Sequence, residues 1–467
     1  MSGPVARLAL WLTRVCERWL PDAFVFALAA TVVVFVAGLA IGVPAGELVS
    51  AWGNGFPDLL AFAMQMTIVI VTGYVVATAR PVGRVIAALA RIPSSAKGAV
   101  ACVAAFALAS SWLNWGFSLV FSAMLARAVA RRFAAASRPV DYRALAAASL
   151  LGLGSVWAQG LSGSAALQMA TPSALPPRVR AIVAHDGLVA NGLIDFTHTI
   201  FLWQSLVSVL VELIVVTLVM WLAAPNEADA RTAAALTIDL AEAAETDVAV
   251  SVRTPGERLE HSPLLTLAVV ALGAVYLGRT LAGGLTTLTV NTINLALLLL
   301  GLLLHWTPAR LMRAVQKAVP ATWGVILQFP FYAAIAGMIA TTRLNDRIAS
   351  LFVRISSPRS FPALMSAYSA LLGIFVPSGG SKWVIEAPYV IAAAHTLRVH
   401  LGWVVACYDL GEATANLVQP FWMLPTLALL GLRARDVMGY TFLVFVVLLP
   451  LVLVLTTLLG ATLHYPL

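Results

Sequence analysis

Val376-Pro377-Ser378-Gly379-Gly380-Ser381-Lys382-Trp383 interrupts apolar sequence on both sides with a proline, two glycines and two serines. In hydrocarbon every peptide group must be satisfied inside the protein. Such a break is therefore tolerated at membrane depth only where protein shields it or where it lines a wet cavity. Glycine lets a ligand approach the backbone, serine supplies donors and acceptors, and a helix starting just beyond would aim free N–H groups at an anion. A tight loop between two ordinary spans would carry the same residues. The rest of the chain decides between the two.

Hydrophobic residues make up 61% of the 467 positions and charged residues 11%, with a mean hydropathy of +0.92. Soluble domains carry about 25% charged residues, so this is a polytopic membrane protein. Its apolar segments are long and continuous rather than alternating, which makes them helices and not barrel strands. Cys16, Cys102 and Cys407 are scattered, which predicts neither a disulfide framework nor a zinc site. The net charge of +8 sits at the ends of hydrophobic spans, so it reports topology and not a nucleic-acid partner. Residues 1–22 are basic and amphipathic without a small-residue cleavage site. They are expected on the cytoplasmic face of the inner membrane, with the N-terminus inside.

Residues 23–43 form a first span, followed by a loop from Pro44 to Pro57 without Lys or Arg, and a second span at 58–79 that returns to Arg80, Arg84, Arg91 and Lys97. Basic residues bracket both ends of 98–132, which predicts a re-entrant hairpin with its tip near Asn114-Trp115-Gly116. From Ala144 a span runs into Gly152, Gly154, Gly160, Ser162-Gly163-Ser164 and Thr171-Pro172, the pattern of a broken helix. A span at 195–222 contains Glu212. Residues 224–261 hold eight of the 21 acidic residues and read as a soluble linker. Beyond it, spans are expected at 263–282, 287–304, 320–341 and 439–460, with a stretch at 401–430 interrupted from Gly411 to Pro420. The expected division is an amphipathic segment (1–22), a first transmembrane repeat (23–223), the linker (224–261) and a second repeat (262–467).

The two halves share a spacing. Gln65 and Gln328, Arg80 and Arg343, Arg84 and Arg347, and Arg91 and Arg354 are all 263 residues apart without a gap, and that offset sets Asn114-Trp115-Gly116 on Pro377-Ser378-Gly379. An odd number of spans separates the equivalent elements. The fold expected is thus all-α and polytopic, with two inverted-topology repeats, each holding a re-entrant helical hairpin and a broken transmembrane helix. In secondary transporters such repeats place substrate and coupling ions near the midplane.

At these residues the chain resembles the short-chain fatty acid transporter family, the acetoacetate/butyrate type of permease within a larger ion-transporter superfamily. The likeness runs through Arg18-Trp19-Leu20-Pro21-Asp22, Trp52-Gly53-Asn54-Gly55-Phe56, Asn114-Trp115-Gly116-Phe117, Ser162-Gly163-Ser164, Val290-Asn291-Thr292, Gln328-Phe329-Pro330-Phe331-Tyr332, Val376-Pro377-Ser378-Gly379-Gly380 and Gln419-Pro420-Phe421-Trp422. The resemblance implies two hairpins meeting two broken helices, an elevator-like motion and often a homodimer. Ser381-Lys382 departs from it by replacing a Gly-His pair.

A monocarboxylate needs hydrogen-bond donors, and the candidate substrate-binding residues are Asn114, Gly116, Ser162, Gly163, Ser164, Pro377, Ser378, Gly379, Gly380 and Ser381. Ion coupling is expected at Thr171, Glu412, Thr414 and Asn416, by sodium on oxygen ligands or by a proton on Glu412. Lys382 either counters a carboxylate or pairs with Glu386 at i,i+4 spacing. Glu212 and Asp409 are intramembrane acids, and Glu212 is expected to find a partner. The protein is expected to be a cation-coupled carrier of small monocarboxylates in contact with membrane lipid, without a bound cofactor and not an enzyme. A carrier of another anion, such as a dicarboxylate, is the first alternative. A membrane hydrolase or acyltransferase built on Ser381-Lys382 or on His198 beside Asp195 is a second, weakened because adjacent helical residues do not face each other.

Overall fold

The computed structural model describes residues 23–57, 60–170, 177–184, 187–189, 191–240, 254–282, 290–341, 354–375, 379–419 and 421–467, with Pro4, Arg7, Leu8 and Trp11. These residues form helices and no strands. The first half runs α1 (Ala23–Ala40), α2 (Ala45–Gly55), α3 (Leu60–Ala77), α4 (Arg80–Leu89), α5 (Ala96–Leu113), α6 (Trp115–Ala135), α7 (Tyr142–Gly154), α8 (Ser164–Ala170), α9 (Pro177–Ala184) and α10 (Trp203–Ala223). The second runs α11 (Pro255–Glu260), α12 (Pro263–Leu281), α13 (Val290–His305), α14 (Pro308–Ala318), α15 (Trp323–Thr341), α16 (Phe361–Phe375), α17 (Gly379–Leu397), α18 (Leu401–Ala415), α19 (Leu424–Leu430) and α20 (Ala434–Gly460).

Among the described residues, α5, α10, α12 and α20 are each long and apolar enough to cross a bilayer alone. Helix starts follow polar caps: Ser95 accepts from the Gly98 amide, Asn114 from Phe117 and Asp141 from Ala144. Helix α12 is left almost uncovered by the rest of the chain, with Leu264 and Leu272 each 73% exposed, a surface suited to lipid.

Helix boundaries in the two halves recur at the spacing of the matched arginines. Shifting Ala45–Gly55 by 263 residues gives the bounds of α14, Pro308–Ala318. Packing is reciprocal as well. α2 and α1 lie on α15 of the other half, while α14 and α13 lie on α3. In each half the first hairpin arm packs on the broken helix, α5 on α7 and α16 on α18. Side chains of α13 tie it to α3: the Gln65 amide donates to Asn291 Oδ1 at 3.0 Å and the Asn294 amide to the Gln65 carbonyl at 3.0 Å.

Three expectations need correction. The segment from Pro44 to Pro57 is mostly the helix α2, because Leu48, Ala51 and Gly55 recur on one face and are buried. The span expected from 195 begins only at Trp203, since Asp195 caps a short 3-10 turn at Phe196–His198. Gly411 does not break α18; the helix continues to Ala415. A Cβ at 411 would collide with the Ser366 carbonyl, so this glycine serves a close helix crossing, as Gly152 does against the Ala107 carbonyl. The start of the acidic segment docks on the helices: the Arg231 amide donates to Asp141 at 3.0 Å, and Arg127 reaches the Asp239 carbonyl at 3.0 Å.

Candidate functional site

The first hairpin turns at Asn114. Its doubling back is fixed by Ser118, whose hydroxyl donates to the Ala107 carbonyl at 2.7 Å. Asn114 accepts from the Phe117 amide at 2.8 Å and Ser162 Oγ accepts from the Trp115 amide at 3.1 Å. Of the first three amides of α6, Gly116's alone has no protein partner among the described residues. The Leu161 amide donates to the Trp112 carbonyl at 2.8 Å, so the hairpin tip is sewn to the break between α7 and α8 by backbone on both sides. Non-helical backbone here is thereby satisfied by protein.

The second hairpin, α16 and α17, is held against α18. The Tyr408 hydroxyl donates to the Gly379 carbonyl at 2.7 Å. The Lys382 ammonium is ion-paired with Glu412 and donates to the Ser369 carbonyl at 2.8 Å. Ser369 Oγ in turn donates to the Tyr408 carbonyl at 2.8 Å. The i,i+4 partner expected from the sequence, Glu386, is therefore not the residue that pairs with Lys382, because α18 brings a carboxylate closer than the next turn of α17 does.

The two halves meet at their interruptions. The Asn416 amide donates to the Leu153 carbonyl at 2.9 Å, linking the ends of α18 and α7. Gln168 of α8 donates to the Gly380 carbonyl at 3.0 Å. Trp115 at the first tip lies 5.5 Å, centroid to centroid, from Trp422 after the second break, and 6.4 Å from Trp157 in the first. The carboxylate of Asp409 faces the Ala165 and Ala166 amides at the start of α8, so a side chain of the second half caps a helix of the first.

Asn114, Gly116, Ser162 and Gly163 thus stand at one tip and its break, and Gly379, Gly380, Glu412, Thr414 and Asn416 at the other. Thr414 spends its hydroxyl on the Gly411 carbonyl at 2.8 Å. Thr171, Pro377 and Ser378 lie outside the described residues, and Ser164 and Ser381 are described only as the backbone of α8 and α17. Glu212 has the partner it was expected to find, the Gln159 amide at 2.8 Å. His198 and Asp195, 3.1 Å apart, are both tied to Thr197 in an exposed cap.

A family model described as short chain fatty acid transporter matches residues 4–459. The chain belongs to the short-chain fatty acid transporter family. Within it, an Escherichia coli (strain K12) protein provisionally named a short-chain fatty acid transporter is 37% identical over 441 residues, covering 93% of this chain and 96% of its own. A protein of the same provisional name from Haemophilus influenzae is 33% identical over 438 residues, with the same coverage. The YdaH transporter crystal structure from Alcanivorax borkumensis aligns over 93% of this chain and 98% of its own, at 15% identity and a TM-score of 0.44.

Members of this family are transporters and not enzymes. As one of them the chain is an all-helical, multi-pass membrane protein. Several residues that hold the site in this family member carried no sequence signal. Gln168, Tyr408 and Ser369 act through backbone carbonyls of other helices, and nothing local to them marks a long-range acceptor.

Proposed function

We propose that this protein carries short-chain fatty acids or related small monocarboxylates across the cytoplasmic membrane, coupled to a cation, through a site between two inverted repeats. The observation that carries the reading is the junction of the four interruptions. Hairpin tip and helix break are hydrogen-bonded within the first half, and Asn416 and Gln168 cross to the other half at the same level. Reciprocal packing of α1 and α2 on α15, and of α13 and α14 on α3, is what an approximate two-fold relation between halves produces. The provisional names of the relatives supply the substrate class.

Site chemistry favours one carboxylate over two. Among the described residues the buried fixed cations are Arg143, paired with Asp141, and Lys382, paired with Glu412, so one carboxylate could be countered only by exchange at Lys382 and the second of a dicarboxylate would have no partner. Walls for a short apolar tail are at hand in Trp115, Trp157 and Trp422. Asn416 Oδ1 is buried without a hydrogen-bond partner and is a ligand of the type sodium takes.

Reconstituted protein should take up labelled butyrate, and unlabelled acetate or acetoacetate should compete while succinate should not. Imposed sodium and pH gradients, applied separately, identify the coupling ion. Competition by succinate alone, or no uptake by folded protein, would overturn the substrate assignment.

A further inference from the structure

Four ionisable side chains are buried together where the second hairpin packs on α18. They are Lys382 and Glu386 of α17 and Asp409 and Glu412 of α18, none more than 3% exposed. Three carboxyl groups share one ammonium. Asp409 has the amides of α8 for company, whereas one oxygen of Glu386 has no hydrogen-bond partner. The Lys382 ammonium bonds Ser369 twice, at 2.8 Å to the carbonyl and 3.3 Å to the hydroxyl, lies 4.9 Å from the Tyr408 ring centroid, and closes its shell with Glu412.

Other elements packed on α18 do not relieve this excess of acid. Helix α8 has no ionisable residue, α16 contributes Tyr368, and α7 contributes Tyr142 and Arg143, the latter held by Asp141. Helix α20 contributes Tyr440, with Arg435 and Asp436 in its first turn, and Asp436 closes that helix's own capping box. The charged groups that act on one another around Glu412 are Lys382, Glu386 and Asp409. An unpaired buried charge is costly, and one ammonium cannot neutralise three carboxylates.

The pair also sits beside the tip. Lys382 lies in the first turn of α17, which begins at Gly379. A methyl group on Gly379 would stand 3.1 Å from Glu412 Cγ, and one on Gly373, from the other arm, 3.0 Å from Glu412 Oε2. A carboxylate arriving at this tip would thus meet an ammonium already carrying two neutral acceptors and one exchangeable anion.

Resting on the transport reading above, we infer that Lys382 changes partners during the cycle. A proton taken from water onto Glu412 frees the ammonium, which then holds the carboxylate of the transported acid, so one proton travels with each substrate anion. Charge balances at every stage, because the proton added to Glu412 matches the anion added to Lys382. Linkage then requires low pH to tighten anion binding, by about tenfold per pH unit where Glu412 titrates, and substrate to draw a proton onto the protein.

The test is equilibrium binding of labelled butyrate to purified full-length protein from pH 5.5 to 8.5, alongside uptake driven by a pH gradient or by a sodium gradient at constant pH. Wild type should lose affinity about tenfold per pH unit over part of that range. Glu412→Gln should bind with no pH dependence and lose pH-driven accumulation, and Lys382→Met should lose binding at least tenfold. If Glu412→Gln does not fold, the wild-type pH profile decides alone. A flat wild-type profile, accumulation by Glu412→Gln equal to wild type, or accumulation that follows sodium at constant pH would overturn the switch. Folded wild type that neither binds nor transports any monocarboxylate would overturn the substrate reading first and the switch with it.

Discussion

The side-chain amide of Asn416 donates to the backbone carbonyl of Leu153 at 2.9 Å, and the two residues are 263 positions apart, the spacing that also relates Gln65 to Gln328. Positions of α7 and α18 that share the common spacing therefore touch. Both residues are buried, so Asn416→Ala leaves a carbonyl in low dielectric without its donor, a loss of about 1–3 kcal/mol. Thermal unfolding should register that loss, and butyrate uptake should fall by more than the folded fraction does.

Close crossings of the hairpin arms on the broken helices set a second expectation. A side chain at 411 would strike the Ser366 carbonyl, and one at 152 the Ala107 carbonyl, both backbone atoms that cannot rotate away. Gly411→Val and Gly152→Val should each cost at least about 2 kcal/mol by forcing the helices apart. A melting temperature equal to wild type in either variant would contradict this packing.

Opposed orientation of the halves is open to a direct check. Ser94 and Ser357 are exposed and correspond at the common spacing. In a background without native cysteines, Ser94→Cys and Ser357→Cys should react with a membrane-impermeant thiol reagent from opposite faces, with Ser94 inside. Labelling of both from one face would rule out an inverted relation.

Outside the spans, His400 precedes α18 and its ring accepts from the Trp403 amide at 3.0 Å. Burial, followed by the neighbouring His198, pushes its imidazole down to about 4. Folding therefore holds the neutral form. Stability from this group is complete above its ordinary value near 6.5 and declines as pH falls from there towards 4, by roughly 3 kcal/mol in all. His400→Asn keeps a capping acceptor but cannot titrate, so its melting temperature should fall less than that of wild type between pH 6.5 and 4.

Long continuous apolar runs were enough to show an all-helical membrane protein, since bilayer physics leaves few other readings of such runs. Short amphipathic helices escaped that logic. Ala45–Gly55 and Pro308–Ala318 are too short to span, and their burial comes from α15 and α3 of the opposite halves. Charge pairing was illegible for a similar reason. An i,i+4 rule sees only one helix, whereas Lys382 finds Glu412 on α18 and Glu212 finds Gln159, 53 residues away. Gly411 looked like a break because a glycine needed for close contact and one needed for a turn are the same letter.

The site proposed for the substrate is the junction of the hairpin tips and helix breaks of both halves, and Ser162, which accepts from the Trp115 amide, stands at its edge. Ser162→Cys, in a chain whose Cys16, Cys102 and Cys407 are replaced, places a reporter there. Its rate of alkylation should fall at least severalfold when butyrate is added and stay unchanged with succinate. Alkylation indifferent to butyrate, in protein that still transports it, would mean that the substrate binds elsewhere.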